Sequence, residues 1–182
     1  LQVAGITLLR RRDHPLIEAF EQGIAEGRAI AGAITSWENR WGQRALLDQD
    51  PGSLSPRTQA ILARAEAMGP ADYAAALARR EEAQARFARI APLADAVIAL
   101  ACPGPAPAWA GDVPGQPLAP RPTGDAVFNI PSSMLFAPAV TVPLLAVGGL
   151  PVGVQVMGQM QQDARLVGLA RWLQDTIDPV AV

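Results

Sequence analysis

The chain has 182 residues, half of them hydrophobic, a length and composition that suit one domain with a buried core. Its formal net charge of -2 argues against nucleic acid as a partner, because proteins that bind nucleic acid usually carry a basic patch. All 15 basic residues are arginines. The chain therefore excludes chemistry that needs a lysine amine of its own, such as a Schiff base or a phosphate-loop lysine.

The N-terminal residues do not have the layout of a signal peptide, because the charged run Arg10-Arg11-Arg12 follows the short apolar stretch instead of preceding it. That run favours a solvated turn over a binding patch. No apolar run approaches the roughly 20 residues needed to cross a bilayer. The single cysteine, Cys102, excludes an internal disulfide and gives no sign of an oxidising compartment. We therefore expect a cytoplasmic protein without a membrane partner, and the opening at Leu1 reads as the middle of a longer gene product.

The first half of the chain is predicted to be mainly helical. Residues 3–9 form a short apolar, β-branched run that predicts a strand. Between residues 16 and 41 apolar side chains recur at three- and four-residue steps, which predicts one long helix. Three glycines would each weaken its interior by about 1 kcal/mol relative to alanine unless they allow close packing. They are Gly23, Gly27 and Gly32.

Two further helices have recognisable start signals. Ser55-Pro56 supplies a serine cap followed by proline at the first helical position. Asp72 is predicted to cap a helix that ends near Ile90 and buries only a thin apolar face. After Pro92 the chain changes from helical to strand-like patterns.

The second half is predicted to be rich in strands. Residues 95–101 are almost continuously apolar, which is typical of a strand buried on both faces. A long segment rich in proline and glycine follows at 103–124, and such a loop is often functional or covers a site. Residues 139–145 and 151–158 predict the two strands of a hairpin. A closing amphipathic helix is expected over residues 163–177.

The residues with reactive side chains favour structural roles. A Ser-His-Asp triad would have to use His14, the only histidine, which has no motif around it and favours an exposed loop position. Cys102 follows a buried strand, which favours a packed thiol over a nucleophile. With one histidine and one cysteine only an all-carboxylate metal site remains, and the acidic residues are scattered, so no metal is expected. Residues 148–153 lack the spacing of a phosphate loop and favour a hairpin turn.

One short segment combines side chains that suit a ligand pocket. Residues 128–134 bring an amide, two hydroxyls, an aromatic ring and a thioether just before a buried strand, as pocket walls often do. The alternative interpretation is a capped turn or short helix that starts at Asn129 or Ser132. The spacing leaves both interpretations open. The candidate pocket residues are Phe128, Asn129, Ser132, Ser133 and Met134.

Several segments carry more information through their order than any of them does alone. They are the aspartate-led strand 95–101 with a Pro/Ala-rich loop after it, the Phe-Asn-Ile-Pro of 128–131, the Pro-Ala-Val-Thr-Val-Pro of 138–143, the Gly-Leu-Pro-Val-Gly-Val-Gln-Val-Met-Gly of 149–158 and the helix 163–177. Together they resemble the C-terminal portion of the amidase signature family, most clearly over residues 54–177. The chain departs from the family pattern at Ala99-Leu100, where relatives often carry Thr-Pro.

The resemblance implies an α/β fold in which strands of a mixed sheet are flanked by helices. It also implies hydrolysis of a carboxylic amide through an acyl-enzyme, by one lysine and two serines, without a metal or an organic cofactor. That triad belongs to the N-terminal part of such proteins. Here there is no lysine and no Gly-Ser-Ser-Gly-Gly-Ser run, so no catalytic residue can be carried over. The candidate pocket residues would form part of the wall of the acyl or amide pocket.

We therefore expect a single incomplete domain over residues 1–182, mainly helical at 1–93 and strand-rich with a closing helix at 94–182. It would supply sheet strands and part of the substrate pocket to an amidase, with a small-molecule amide as substrate and the missing N-terminal part as partner. The alternatives are a non-catalytic remnant or binding domain with this fold, and one subunit of a split amidase. Strands such as 140–144 would lack neighbours, so the isolated chain is expected to form a homo-oligomer or to be marginally stable.

Overall fold

The chain forms a layer of helices followed by a mixed sheet, with one further helix on the other face of the sheet. The computed structural model describes residues 4–106, 108 and 125–182. Within them the α-helices are α1 (Pro15–Ala25), α2 (Gly27–Gln49), α3 (Pro56–Glu66), α4 (Pro70–Arg89), α5 (Ile130–Leu135) and α6 (Asp163–Thr176). The strands are β1 (Val97–Leu100), β2 (Ala139–Val147), β3 (Leu150–Met157) and β4 (Val180–Ala181). The α/β class with a mixed sheet is thereby confirmed.

Residues 4–9, predicted to be part of a strand, do not form one. They lead into a single 3-10 turn at Arg11–Asp13 and then into α1. Ile6 packs against the hydrophobic cluster beneath α6, so the run partly buries a side chain without joining the sheet. A β-branched composition does not suffice for a strand, because the backbone also needs a neighbouring strand to bond with.

The long helix predicted between residues 16 and 41 is two helices, α1 and α2, which meet at Glu26. The backbone of Glu26 (φ -89°, ψ 4°) leaves the helical region there. Gly27 is buried, and a Cβ on it would lie 3.4 Å from Cγ2 of Ile130 and 3.6 Å from Sδ of Met134. This glycine therefore allows close packing of α2 on α5, and the break lets α1 and α2 each pack against α4.

The start of α3 is as predicted. Oγ of Ser55 accepts a hydrogen bond from the N–H of Thr58 at 3.2 Å, and Pro56 is the first helical residue. The predicted cap of α4 is wrong, because Gly69 is the N-cap and Asp72 is the third helical residue. The Asp72 carboxylate accepts from the N–H of Gly69 at 2.8 Å. It still satisfies a backbone donor at the positive end of the helix dipole.

Replacing Ser55 with alanine is expected to lower the free energy of unfolding by about 1 kcal/mol, because the N–H of Thr58 loses its acceptor. Urea denaturation of the variant measures this change. Ser53→Ala is the control, since Ser53 lies exposed in the turn before the helix, and it should change stability by less than about 0.5 kcal/mol. Equal losses in the two variants would contradict the capping role.

The four strands lie in the order β1-β3-β2-β4. β3 pairs antiparallel with β1 and β2, and β4 pairs parallel with β2. The predicted hairpin between β2 and β3 is confirmed. Gly148 and Gly149 form its turn with φ angles of 56° and 80°, as a type I′ turn requires. β4 was not foreseen, because a two-residue strand leaves no periodic pattern.

β2 contains one extra residue opposite β3. Val142 faces Val154, and by Leu145 the register has shifted by one residue. Pro143 lies in this bulge, where the ladder is already interrupted and its missing N–H costs little.

The sheet separates two hydrophobic clusters. The first lies among the helices α1, α2, α4 and α5, where the ring centroids of Phe20 and Phe87 are 5.4 Å apart. The second lies between the sheet and α6 and includes Leu173. Because successive residues of a strand point to opposite faces, Met157 of β3 joins the first cluster and Val156 the second.

The predicted closing helix is confirmed as α6. Leu166, Ala170 and Leu173 are buried on its inner face, whereas Trp172 is 43% exposed. None of the described helices is both long and apolar enough to cross a membrane.

β1 lies at one edge of the sheet, and all four of its residues are half-buried. The prediction of a strand buried on both faces is therefore wrong for the described residues. Residues 140–144 lie beside β3 on one side, and β4 pairs only with Leu145 and Ala146, so among the described residues 140–144 lack a strand neighbour on the other side, as expected. On its outer side β1 likewise faces no strand among the described residues, along its whole length.

Candidate functional site

The candidate pocket segment begins with a turn and continues as the short helix α5. The N–H of Asn129 donates to the carbonyl of Ala126 at 2.9 Å, and Pro131 lies in the first helical turn, where no amide donor is needed. α5 ends at Phe136, whose backbone is left-handed with φ 54°. A short helix after Asn129 thus forms, although the Asn129 side chain makes no capping bond.

Two of the five candidate pocket residues point into the protein. Met134 is 3% exposed and belongs to the cluster among the helices. Oγ of Ser132 donates to the carbonyl of Asn129 at 2.9 Å, and this serine is buried. The Met134 side chain anchors α5 in this cluster, whereas the Ser132 bond stays within the segment.

The other three candidate residues leave polar or aromatic surface accessible. Asn129 and Ser133 are exposed and lie four residues apart, so the carboxamide and the hydroxyl lie on neighbouring parts of one face. Phe128, just before them, is half-buried. A carboxamide and a hydroxyl can each donate and accept hydrogen bonds, and an aromatic ring can pack against an apolar group. The accessible side of this segment therefore offers hydrogen-bonding groups beside an aromatic ring.

Two glutamines attach this segment to the rest of the protein. Nε2 of Gln155 in β3 donates to the carbonyl of Phe128 at 2.9 Å, and Nε2 of Gln84 in α4 donates to the carbonyl of Met134 at 3.4 Å. Gln155 and Ser132 are the two buried polar residues among those the structure describes. Sequence reasoning missed both glutamines. The signal that could have found Gln155 is a polar residue in the middle of an apolar strand.

The histidine and the cysteine have structural partners. Nδ1 of His14 accepts from the N–H of Leu16 at 3.1 Å, so the histidine is a half-buried cap of α1 and not the exposed loop residue that was expected. The thiol of Cys102 is half-buried and donates to the carbonyl of Gly104 at 3.0 Å. In the part of the chain that the structure describes, no three His, Cys, Asp or Glu side chains are placed to hold a metal ion.

The sequence predicts two further features whose outcomes differ. The arginine run at 10–12 is exposed, Arg11 pairs with Glu18 at 3.3 Å, and the run borders an open cleft of about 530 Å³. Of the proline- and glycine-rich loop predicted at 103–124, residues 107 and 109–124 lie outside the described residues.

The described groups with displaced pKa values belong to α2, α3 and α4. The hydrogen bond from the Tyr73 hydroxyl to Oε1 of Glu38, at 2.8 Å, raises the pKa of that phenol. Two hydrogen bonds from Arg44, at 2.8 and 2.6 Å, lower the pKa of the Glu66 carboxyl. Both shifts come from exposed pairs between helices, which is the behaviour of structural contacts at a surface.

The comparison with protein families agrees with the order of segments in the sequence. The model of the Amidase family matches residues 38–167, which is most of the chain. The chain belongs to the amidase family. A comparison with curated proteins found no match.

The fold of this chain matches part of several solved structures, two of which are amidases. The structure of an amidase matches with a TM-score of 0.73 at 23% identity, over 85% of this chain and 36% of its own. An inhibitor-bound vestigial protein complex that reveals the origins of an s-triazine catabolic enzyme matches with 0.72 at 25% identity, over 86% and 35%. A bacterial aryl acylamidase of the amidase signature family matches with 0.62 at 12% identity, over 94% and 41%. The chain thus spans little more than a third of the length of the first two of these structures.

Proposed function

We propose that the chain is the C-terminal part of a carboxylic-amide hydrolase, to which it contributes sheet strands and part of the substrate pocket. One observation carries this proposal: the Amidase family model matches residues 38–167, while the chain spans only 36% of a solved amidase with the same fold. The catalytic lysine and serines would lie in the remaining part, since this sequence has no lysine.

The composition of β1 supports a missing neighbour. Its four residues, Val97–Leu100, are all apolar, yet each is only half-buried at the edge of the sheet. Edge strands that face solvent usually carry charges, prolines or bulges that prevent pairing. β1 has none of these, so its composition is that of a covered strand. The remaining part of the amidase fold is the neighbour that we propose.

The accessible face of α5 is the part of this chain that we propose faces the substrate. Asn129 and Ser133 are exposed on it, while Met134 anchors the helix in the core. A carboxamide and a hydroxyl in these positions would bind the amide or acyl group of the substrate by hydrogen bonds. Their contribution to the reaction would be to hold the carbonyl carbon near a serine nucleophile supplied by the remaining part.

A second candidate is one subunit of a split amidase, with the lysine and serines on another polypeptide. The observation that favours it is the likeness to a structure that is itself a protein complex, at 25% identity. In both candidates the chemistry is the same, and they differ only in whether a peptide bond joins the two parts.

The test is the intact mass of the natural gene product, measured together with its hydrolysis of a panel of simple amides. A mass well above 19.1 kDa with hydrolysis supports one longer amidase. A mass of 19.1 kDa, with hydrolysis only after the product of a neighbouring gene is added, supports the split enzyme. No hydrolysis under either condition contradicts the proposal and leaves the non-catalytic remnant.

Cys102→Ser should keep full activity in that hydrolysis assay, because the proposal places the nucleophile outside this chain.

A further inference from the structure

We infer that Gln155 is the positioning residue that fixes the substrate-facing segment before and within α5 to the central sheet. The inference rests on the proposed function, in which this segment borders the substrate. Gln155 acts through the carbonyl of Phe128 and does not itself face the ligand.

Gln155 lies in the middle of the sheet, directly between Ala99 of β1 and Thr141 of β2. It is 6% exposed. Its chain neighbours Val154 and Val156 point to the opposite face and pack in the cluster beneath α6. A carboxamide as deeply buried as that of Gln155 costs free energy unless it is hydrogen-bonded. A glutamine at this position therefore needs a partner on the face of the sheet opposite α6.

That partner is the backbone carbonyl of Phe128, which accepts from Nε2 of Gln155 at 2.9 Å. The two residues beside Gln155 on the neighbouring strands are Ala99 and Thr141. Their side chains are small and leave room for the segment to reach the sheet. Asn129 follows Phe128 directly, so the position of this one carbonyl sets where the exposed face of α5 begins. Displacing it would turn the Asn129 carboxamide away from its present direction.

The other end of α5 has attachments that do not depend on Gln155. Met134 packs against Gly27 in the helical cluster, and its carbonyl accepts from Nε2 of Gln84 at 3.4 Å. Loss of the Gln155 bond should therefore release the Phe128 end while the Met134 end stays in place. The expected effect is on the orientation of the substrate-facing side chains and not on folding as a whole.

The first arm of the test compares Gln155→Met with Gln159→Met in the 182-residue chain. Methionine keeps the length of glutamine and removes the donor. Gln159 is a matched control, because its Nε2 also donates to a backbone carbonyl, that of Phe87, at 3.0 Å. Amide hydrogen exchange in residues 126–133 should become about threefold to tenfold faster in Gln155→Met and stay within about twofold in Gln159→Met.

Gln155→Glu provides a readout that a merely structural role would not change. A protonated carboxyl can donate to the Phe128 carbonyl and a carboxylate cannot, and burial raises the pKa of a carboxyl placed here. In the natural gene product, KM of Gln155→Glu for a hydrolysed amide should match the wild-type value at about pH 5. At about pH 8 it should rise toward the KM of Gln155→Met, while kcat changes less. Exchange in residues 126–133, corrected for its intrinsic pH dependence, should follow the same titration.

The two proposals fail in different ways. If the natural product hydrolyses no amide, the proposed function fails, and the exchange measurements still decide the role of Gln155. Equal exchange in wild type, Gln155→Met and Gln159→Met would overturn the inference. So would a Gln155→Glu variant whose exchange and KM do not depend on pH beyond the wild-type profile.

Discussion

Gly153→Ala is expected to lower the free energy of unfolding by about 2 kcal/mol. A Cβ on this residue would lie 2.2 Å from Cγ2 of Thr141 and 3.2 Å from Cβ of Ala101. Thr141 is β-branched and has few alternative rotamers, so relieving the contact costs either a less favoured rotamer or a movement of the strands. The second glycine of the Gly-Leu-Pro-Val-Gly run therefore has a steric reason to be there: two neighbouring strands bring side chains over its backbone.

Urea denaturation of three variants tests this explanation. Combining Gly153→Ala with Thr141→Ser removes Cγ2 and should recover most of the lost stability. Gly168→Ala is the control in α6, where an added Cβ meets nothing within 4 Å, and it should raise stability by up to about 1 kcal/mol because alanine favours helices. If the double variant is as unstable as Gly153→Ala alone, crowding by Thr141 is not the cause.

The features that the sequence predicts correctly are those with local causes. The serine cap at Ser55 needs only the N–H of Thr58, three residues away. The hairpin turn depends on two adjacent glycines, Gly148 and Gly149, which take positive φ angles without strain. The spacing of buried residues defines α6 by itself. Each of these signals lies within one turn or one helix.

The features that the sequence misses depend on packing between distant segments. Helix periodicity continues through Glu26, but α1 and α2 separate there because each packs on α4. Residues 4–9 have the composition of a strand and no place in the sheet. β1 has the composition of a buried strand, yet its residues are only half-buried, because no described strand lies on its outer side. The composition of a segment indicates whether it is apolar enough to be buried. Whether it is buried depends on which other segments the fold places beside it.

The candidate pocket shows the same division within one short segment. Its mixture of polar and aromatic side chains marks residues 128–134, but the sequence cannot say which of them point inward. The exposed positions of Asn129 and Ser133 and the buried one of Met134 follow from docking against Gly27 and the sheet. The Gln155 bond spans 27 residues of sequence, which is beyond the range of any local pattern.

The second large effect is expected at the outer edge of β1. The N–H of Ala101 donates to the carbonyl of Gly153 in β3 at 2.8 Å. Two residues earlier, Ala99 of β1 faces Gln155 of β3. Because backbone groups of a strand alternate in direction, the N–H of Leu100 points away from β3 toward the outer edge. Leu100→Pro therefore removes a donor from that edge while the ladder to β3 remains.

The isolated 182-residue chain is expected to self-associate through this edge, since an apolar strand with unpaired backbone groups is a template for pairing. Leu100→Pro should weaken the association at least about tenfold in sedimentation velocity experiments, because the new proline cannot donate across the edge. Leu100→Ala is the matched control: it loses the same side chain, keeps the N–H and should associate more tightly than the proline variant. Monomeric wild-type chain, or equal association of the two variants, would exclude the β1 edge as the interface. The edge that pairs in isolation is also the one that we propose the rest of the amidase covers, so Leu100→Pro should impair amide hydrolysis by the natural gene product more than Leu100→Ala does.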